Sequence, residues 1–311
     1  MSQKIWVLGD AVVDLIPDGE NHYLRCAGGA PANVAVGIAR LGGESAFIGR
    51  VGKDPLGEFM LQTLQQENVQ TSHMILDPQQ RTSTVIVGLD NGERSFTFMV
   101  NPSADQFLQV ADLPNFQANE WLHCCSIALI NNPSRETTFE AIRRIKAAGG
   151  FFSFDPNLRE SLWASFDDMK QTVMQAVALA DVLKFSEEEL TLLTDTQTLG
   201  DAFEKITALY PKKLIIVTLG KDGARYHLAG KKDIVTGKAL KPVDTTGAGD
   251  AFVGGLLAGL SQHPNWKEIP VLEQILRQAN ACGALATTAK GAMSALPNKA
   301  QLAEFCDNVA L

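Results

Sequence analysis

Short apolar runs alternate with longer segments of helical periodicity along most of the chain. Such a run suits a strand that is buried on both faces of a mainly parallel sheet. Alternation of these strands with helices predicts right-handed βαβ units, and therefore an α/β fold with a doubly wound, mainly parallel sheet flanked by helices. The runs are Ile5–Leu8, Trp121–Ala128, Phe151–Phe154, Val182–Phe185 and Leu214–Val217, and the helical segments between the later runs are Arg135–Ala148, Phe166–Ala180, Glu187–Thr194 and Leu199–Tyr210.

A different pattern covers two regions, residues 12–27 and 82–105. In the second region two β-rich runs, Thr82–Leu89 and Arg94–Val100, flank Asn91-Gly92. An Asn-Gly pair between two such runs is a strong hairpin signal. Together with a short strand in the first region, the hairpin predicts a small β-sheet lid. A lid of this kind excludes water from a reaction site.

Composition narrows the class of protein. The formal net charge of −8 argues against a nucleic-acid partner, because phosphate neutralisation requires a basic surface. The five cysteines are odd in number and contain no Cys-x-x-Cys pair, which indicates reduced thiols rather than disulfides or a zinc site. An acidic residue comes too early for a secretory signal, and no apolar run is long enough to span a membrane. We expect a cytoplasmic protein without a membrane partner, folded as one domain over residues 1–311.

The stretch Asp244–Phe252 reads Asp-Thr-Thr-Gly-Ala-Gly-Asp-Ala-Phe. Lys238–Val243 before it resembles a strand, and Ala251–Leu260 after it resembles an apolar helix. Gly247–Gly249 should therefore form a strand-to-helix turn, where backbone N–H groups and the helix dipole favour an anion. Asp250 in the first helical turn could simply cap the helix. At an anion site, however, a carboxylate can also take the proton from an attacking hydroxyl.

Polar residues follow other predicted strands, at the end of the sheet where α/β proteins bind ligands. Asp10 and Asp14 follow the first strand. Gly29 and Asn33 lie at the glycine-rich start of a helix, and Arg159 follows a later strand. Each also has an ordinary structural explanation, because acids and glycines are common in turns and an arginine often pairs with surface acids. Position alone leaves these alternatives open.

The later segments allow similar alternatives. Ser186 and Glu189 have the spacing of a capping box at a helix start. The loop Thr218–Gly223 could be a turn between two strands, and Lys184 could be a solvated lysine at the end of a strand.

Two signatures give the sequence a specific resemblance. Asp244–Phe252 resembles the C-terminal signature of the ribokinase-like (PfkB) carbohydrate kinase family, and Gly28–Asn33, Gly-Gly-Ala-Pro-Ala-Asn, resembles its N-terminal signature. The resemblance extends from Ile5 to Pro297 and implies a ribokinase-like fold with ATP-dependent sugar kinase activity. The Gly-x-x-x-x-Gly-Lys-Ser/Thr run of P-loop kinases does not occur.

The family resemblance implies roles for residues in the two signatures. In the family the Gly-Ala-Gly turn neutralises charge on the transferring phosphoryl group, and the following Asp is the catalytic base. On this chain these positions are Gly247, Ala248 and Gly249 for the anion hole and Asp250 for the base. The residues implied to contact the sugar are Asp10, Asp14, Gly29, Asn33, Phe98 and Asp250, with Arg159 over the sugar or the transferred phosphoryl group.

The resemblance also implies ATP, Mg²⁺ and a monovalent cation, K⁺. The residues implied to contact the nucleotide are Lys184, Glu189, Thr218, Gly220, Gly223, Gly249 and Asn280, of which Glu189 would act on Mg²⁺ through water. Backbone carbonyls near Asp244, Thr246, Ala286 and Gly291 resemble the cation loop of many family members.

Within the family, Gly9–Asp14 and Gly28–Asn33 look most like the bacterial fructokinases, which convert fructose to fructose 6-phosphate. Aminoimidazole riboside kinases carry much the same residues, and 2-keto-3-deoxygluconate kinases are more distant. A non-catalytic sugar-binding regulator is a further alternative, but it would have no use for Asp250. A dinucleotide oxidoreductase would need Gly-x-Gly-x-x-Gly after the first strand, which is absent. The partners implied are a sugar and ATP; family members often pair lids in a homodimer, which these residues leave undecided.

Overall fold

The computed structural model describes residues 2–19, 21–90, 93–238 and 240–307, and for residues 89, 90 and 93–96 it describes only the main chain. In chain order the elements are β1 (Ile5–Leu8), β2 (Val12–Pro17), β3 (Tyr23–Gly28), α1 (Ala30–Arg40), β4 (Ser45–Gly52), α2 (Pro55–Gln66), β5 (Gln70–Asp77), β6 (Thr84–Asp90), β7 (Glu93–Met99), β8 (Trp121–Cys125), α3 (Ser134–Ala147), β9 (Phe151–Asp155), α4 (Phe166–Leu179), β10 (Val182–Ser186), α5 (Glu187–Thr194), α6 (Leu199–Leu209), β11 (Leu214–Thr218), β12 (Ala224–Leu228), β13 (Lys231–Val235), α7 (Ala248–Gln262), α8 (Ile269–Ala286) and α9 (Lys299–Asp307).

Nine strands of the described chain form one large sheet in the order β13-β12-β11-β10-β9-β8-β1-β4-β5. Neighbours from β11 to β5 in this order pair in parallel, and β12 and β13 add an antiparallel edge. Because β1 pairs with β4 on one side and β8 on the other, the winding reverses at β1. The carboxyl end of β1 is therefore the switch point at which open α/β sheets bind ligands. The predicted fold class is confirmed.

An apolar core lies on each face of the large sheet. Alternate side chains of a strand point to opposite faces, so Ile5 and Val7 of β1 enter one core while Trp6 and Leu8 enter the other. The first core also contains apolar residues of α1, α7 and α8, and the second contains residues of α3, α4, α5 and α6. The layers fix the carboxyl ends of the strands, where the candidate site lies.

The strands β3-β2-β6-β7, in that order, form a separate small sheet that we call the lid sheet. Strand β2 pairs antiparallel with β3 and parallel with β6, and β6 pairs antiparallel with β7. Asp14 lies within β2, opposite Cys26 on one side and Val85 on the other. Since β2 follows β1 after a short loop, the lid sheet begins at the switch point. This is the lid sheet expected from the sequence.

Several boundaries differ from the sequence predictions. Of the predicted strand Lys238–Val243, the described residues 238 and 240–243 are not in a strand. Val243 N and Asp244 N donate to the Thr287 carbonyl, which ties this part of the chain to the end of α8 rather than to a sheet. Pro242 also lacks the N–H that a central strand needs. Helices α7 and α8 begin earlier than predicted, and β5 and β13 are additional strands.

Two sequence predictions are left without a structural outcome. The Asn91-Gly92 turn lies outside the described residues, and the single-domain assignment stays a prediction. Among helices in the described part of the chain, none has the length and apolar character that a membrane crossing requires.

Candidate active site

The turn before α7 has a conformation that depends on glycine. Gly247 caps the helix in the left-handed region, with φ of +78°, and a Cβ there would lie 2.8 Å from the Ala292 Cβ. The first N–H groups of a helix have no partner within it. At the start of α7 these groups include the N–H of Gly249. Steric demand and helix geometry together give the glycine turn at a helix start that the sequence predicts.

Two cavities meet at this turn. The first, of about 490 Å³, is lined by Gly247 and Asp250, and the second, of about 390 Å³, is lined by Ala248 and Phe252. Gly249 lines both. The turn is therefore a wall that both cavities share. A group bound in one cavity can meet a group bound in the other at Gly249.

The first cavity contains all of the residues predicted to contact a sugar. Asp250 Oδ2 accepts a 2.8 Å hydrogen bond from Asn33 Nδ2, which joins the two signature segments directly. The predicted residues that line this cavity are Asp10, Asp14, Gly29, Asn33, Phe98, Arg159, Gly247, Gly249 and Asp250. The lid sheet contributes to the walls through Asp14 and Phe98.

Two acids of the first cavity, Asp10 and Asp155, are buried and incompletely hydrogen-bonded, and Asp14 and Asp250 are partly buried. In the described chain, Asp10 Oδ1, Asn33 Oδ1 and Asp155 Oδ1 are buried without a hydrogen-bond partner. Burial raises the pKa of Asp10 to about 7, with a further contribution from the charge of Asp105, and burial raises the pKa of Asp14 to about 6. Buried acceptors that lack protein donors are suited to a ligand rich in hydroxyl groups.

Asp250 has an electrostatic environment of mixed sign. Burial raises its pKa above the ordinary value, while the hydrogen bond from Asn33 and the charges of Lys184 and Arg159 limit the rise. The carboxyl group is thus held close to two cations at the wall between the cavities.

Lys184, a predicted nucleotide contact, lines the first cavity next to the turn that both cavities share. Its Nζ lies 3.0 Å from Asp155 Oδ2 and 3.5 Å from the point where a Cβ on Gly249 would be. Burial acts to lower the pKa of Lys184, but the charges of Asp155, Glu189 and Asp250 outweigh it, so the pKa is raised and the ammonium group stays charged. A buried cation therefore adjoins the glycine turn.

Arg159 is exposed at the mouth of the first cavity. Its Nη1 donates to Asn157 Oδ1 at 2.7 Å and to the Leu158 carbonyl at 2.9 Å. In the described chain its side chain makes no ion pair with a surface acid, the alternative that its position allowed. The guanidinium group is held over the cavity by the loop that follows β9.

The second cavity is lined by five glycines, two lysines and several other polar and apolar residues. The predicted nucleotide residues that line it are Thr218, Gly220, Gly223, Gly249 and Asn280. Gly223 has φ of +102°, and a Cβ there would lie 2.1 Å from the Val235 carbonyl oxygen. Asn280 Nδ2 donates to that same oxygen at 2.9 Å. The loop and α8 are thus fixed on opposite sides of Val235.

Glu189 forms the capping box that its spacing predicts. Ser186 Oγ accepts from Glu189 N, and Glu189 Oε2 accepts from Ser186 N. Glu189 Oε1 also accepts from Leu158 N at 2.8 Å, which ties α5 to the loop that bears Arg159. The carboxylate is occupied by the main chain and lines neither cavity.

The four residues predicted near a monovalent cation come from segments that adjoin. Asp244 Oδ2 accepts from Gly291 N at 3.0 Å, and Asp244 Oδ1 accepts from Thr246 N at 3.1 Å. Ala286 ends α8 one residue before Thr287, whose carbonyl accepts from Asp244 N. Within the described ranges, no group of three or more His, Cys, Asp or Glu side chains has a metal-binding arrangement.

Sequence reasoning did not identify three polar residues of the first cavity. Asp155, Ser83 and Asn157 line it alongside the predicted set. Asp155 ends β9, so the rule that finds Asp10 after β1 could have found it. Ser83 carries no such signal, because a serine before a lid strand reads as an ordinary loop residue.

Comparisons with known proteins cover nearly all of this architecture. The profile of the family described as "pfkB family carbohydrate kinase" matches residues 2–299. The chain is 58% identical over 303 residues to a fructokinase of Vibrio alginolyticus, with 97% of this chain and 98% of that protein covered.

Two solved structures are similar over a comparable extent. One is the crystal structure of fructokinase from Vibrio cholerae O395 in the form that binds fructose, ADP and calcium ion. It is 59% identical to this chain with a TM-score of 0.93, and the match covers 98% of this chain and 99% of that one. The structure of aminoimidazole riboside kinase from Salmonella enterica, complexed with aminoimidazole riboside and an ATP analog, is 42% identical with a TM-score of 0.90, over 97% and 99% of the two chains.

Proposed function

Because the chain belongs to the pfkB family of carbohydrate kinases, we propose that it transfers the γ-phosphoryl group of ATP to a primary hydroxyl of fructose. The products are fructose 6-phosphate and ADP. The observation that carries the proposal is the shared wall: one glycine turn separates a cavity lined by acids from a cavity lined by glycines and lysines. The names of similar relatives support fructose as the acceptor.

The first cavity binds the sugar. Asp10, Asp14 and Asn33 provide acceptors for sugar hydroxyls, and the partnerless Asp10 Oδ1 and Asn33 Oδ1 gain hydrogen bonds when the sugar enters. Gly29 lets the main chain approach the sugar, and Phe98 covers an apolar face of it. The lid sheet excludes water from the site, which protects ATP from hydrolysis.

Asp250 is the catalytic base. As the bond forms between the sugar oxygen and the γ-phosphorus, the bond from that phosphorus to the bridging oxygen of ADP breaks, and the hydroxyl proton moves to Asp250. The hydrogen bond from Asn33 holds the carboxylate in place. A loose transition state places little demand on the base, so a strongly raised pKa is not needed.

Charge on the transferring group is balanced by the turn and by two cations. The Gly247–Gly249 turn is the anion hole at the start of α7, where the helix dipole adds to its backbone N–H groups. The Ala248 N–H already donates to the Thr245 carbonyl at 3.2 Å, so the N–H groups of Gly247 and Gly249 carry most of this role. Lys184 next to Gly249, and Arg159 at the mouth, add positive charge.

The second cavity binds ATP. Thr218, Gly220 and Gly223 cradle the phosphates, and Asn280 lies beside the nucleoside. The glycine walls fit a flat base and a triphosphate, because main-chain groups can approach both closely.

Magnesium and a monovalent cation complete the proposed site. Mg²⁺ neutralises the phosphates when it is bound. Each Glu189 oxygen already accepts a main-chain N–H, so Glu189 reaches the ion through water and its remaining lone pairs. The partnerless Asp155 Oδ1 is a second acceptor for such a water. The carbonyls near Asp244, Thr246, Ala286 and Gly291 suit K⁺, a large and weakly hydrated ion.

The test is an ADP-release assay of the purified protein with fructose, aminoimidazole riboside, ribose and 2-keto-3-deoxygluconate. We expect the highest kcat/KM with fructose. The second candidate, aminoimidazole riboside, is favoured by the structural similarity to that kinase. A kcat/KM for the riboside well above that for fructose would overturn the choice of acceptor, and turnover of none of the four would overturn the kinase assignment.

We also propose that two copies pair through their lid sheets. Tyr23 in β3 and Met99 in β7 are more than half exposed, an unusual state for large apolar side chains. Light scattering of the unmodified protein and of the Tyr23→Ser and Met99→Ser variants tests this pairing. A monomeric unmodified protein would contradict it.

A further inference from the structure

A cluster of two serines and one acid lies where the lid sheet joins the large sheet. Ser83 comes directly before β6, is 2% exposed and is one of the residues that line the first cavity. Ser83 Oγ donates to Asp105 Oδ1, and Ser103 Oγ lies 2.6 Å from the same oxygen. Asp105 itself does not line the cavity. The acid therefore reaches the cavity only through Ser83.

The hydrogen bonds of this cluster fix the orientation of one hydroxyl group. A serine hydroxyl has one proton and two lone pairs. Because its proton points at Asp105, the lone pairs of Ser83 are left as the acceptors that it can present to the cavity. The main chain is fixed as well, since the Ser83 carbonyl accepts from Val13 N at 3.0 Å. Ser83 is thus a rigid acceptor.

The neighbourhood of Asp10 explains what such an acceptor can recognise. Asp10 Oδ1 is buried and partnerless, and the pKa of Asp10 is raised first by burial and then by the charge of Asp105. The two carboxyl groups therefore share one electrostatic neighbourhood at the floor of the cavity. A neutral hydroxyl that donates to Ser83 fits there, whereas a carboxylate or phosphate would be repelled.

Asp105 also joins both ends of the β6–β7 hairpin. Ser83 precedes β6, and Ser103 follows β7 and donates to the Val100 carbonyl at 2.7 Å. The Ala104 N–H donates to the Arg81 carbonyl, which closes the base of the hairpin. A change at Asp105 therefore alters the position of the Ser83 hydroxyl relative to the lid sheet.

We propose that Ser83 is a specificity-determining residue that accepts a hydrogen bond from one sugar hydroxyl, and that Asp105 is the positioning residue that orients it. The inference rests on the proposed function, because it takes the first cavity as the sugar site. The recognised group is a neutral secondary or anomeric hydroxyl of the acceptor, distinct from the hydroxyl that is phosphorylated.

The experiment measures kcat and KM of Ser83→Ala for the best acceptor and for its deoxy analogues, each lacking one hydroxyl. We expect the acceptor KM to rise about tenfold, as for loss of one hydrogen bond, with kcat within about threefold and the KM for ATP unchanged. Against the one analogue that lacks the recognised hydroxyl, the variant and the unmodified protein should have the same KM. An unchanged acceptor KM, or an equal loss with every analogue, would overturn the proposal.

Asp105→Ala and Asp105→Asn test the positioning role. Asp105→Ala should raise the acceptor KM as much as Ser83→Ala does, and adding it to Ser83→Ala should raise the KM no further. Asp105→Asn keeps an acceptor oxygen for Ser83, so its acceptor KM should rise less than that of Asp105→Ala. It also replaces Asp105→Ala as the test if that variant does not fold. Additive effects of the two alanine changes would contradict the model of one acting through the other.

Ser45→Ala is the matched control. Ser45 is as buried as Ser83 and donates to the Ala35 carbonyl, but it lies at the start of β4, at the other end of the sheet from the site. It should lose comparable stability with no change in either KM. The activity of the unmodified protein separates the two proposals. If it phosphorylates no acceptor, the proposed function fails; if it does and Ser83→Ala leaves the acceptor KM unchanged, only the role of Ser83 fails.

Discussion

The two cavities on either side of the Gly247–Gly249 turn are built from different chemical groups. The first is lined by acids, an amide and cations, of which Asp10 and Asn33 carry partnerless buried oxygens. The second is lined by five glycines, two lysines and no acid among its described lining residues, and close contacts such as that of Gly223 with Val235 shape it. One cavity therefore suits a neutral ligand rich in hydroxyl groups, and the other suits an anionic ligand that approaches the main chain closely. Substitution of polar side chains should change the choice of acceptor, whereas an added Cβ at a glycine should weaken nucleotide binding.

The largest effect is expected at the wall that both cavities share. Asp250→Asn removes the base but keeps an oxygen that can accept from Asn33 Nδ2, so the sugar site should retain its geometry. We expect kcat to fall by roughly 10²- to 10⁴-fold, the usual contribution of a general base, with sugar binding by calorimetry within about threefold. Asp167→Asn, on the exposed first turn of α4, is the control. Near-normal kcat in Asp250→Asn would mean that another group takes the proton.

A change in the shape of the second cavity should alter the KM for ATP. In Gly223→Ala the new Cβ meets the Val235 carbonyl, so we expect the KM for ATP to rise about tenfold or more while the KM for sugar stays constant. Gly230→Ala is the matched control, because Gly230 also has a positive φ, +86°, but an added Cβ finds nothing within 4 Å. Gly230→Ala should lose about 1–2 kcal/mol from backbone strain, and Gly223→Ala should lose more because its Cβ also meets the main chain. An equal rise in the KM for ATP in both would show that strain, not the cavity wall, is responsible.

Because Asp10 of the first cavity is buried, the free energy of unfolding of the ligand-free protein should depend on pH. The pKa of Asp10 is about 7 in the folded protein and near 3.8 unfolded. Between these values only the unfolded chain releases the proton, so Asp10 destabilises the ligand-free protein increasingly as pH rises. The cost is absent below about pH 4 and complete above about pH 7, where it reaches at most about 4 kcal/mol.

Asp10→Asn removes this titration. Without sugar, the variant should unfold at a higher temperature than the unmodified protein at pH 8, and the difference should shrink steadily toward pH 4. Thermal unfolding at several pH values measures it, with Asp167→Asn again as the control. An Asp10→Asn protein that is no more stable at pH 8 would show that the buried acid is compensated in the ligand-free state.

Sequence reasoning succeeded where function depends on contiguous residues. The buried run Ile5–Leu8 is the strand at which the sheet reverses, and the glycine turn does begin a helix, because local sterics decide both. The strand prediction was wrong for the described residues 238 and 240–243. Pro242 has no N–H to donate to a sheet, and the N–H of Val243 donates to the Thr287 carbonyl instead. A local pattern cannot show which distant partner takes a segment's hydrogen bonds.

The remaining site residues depend on tertiary contacts. Ser83 and Asp105 lie at opposite ends of the lid hairpin and meet only when β6 and β7 pair. Lys184 in β10 pairs with Asp155 at the end of the neighbouring strand β9, and this pairing holds it in the first cavity beside Gly249. Charge partners one strand apart leave no periodic trace in a sequence.

The hydrogen bond from Asn33 to Asp250 joins residues 217 positions apart. During synthesis the amide emerges from the ribosome long before its carboxylate partner, so the nascent chain carries half of a catalytic pair through most of translation. Long-range contacts of this kind slow folding, because the intervening chain must be ordered first. Competence for phosphoryl transfer should therefore appear in a single late step, rather than growing gradually with chain length.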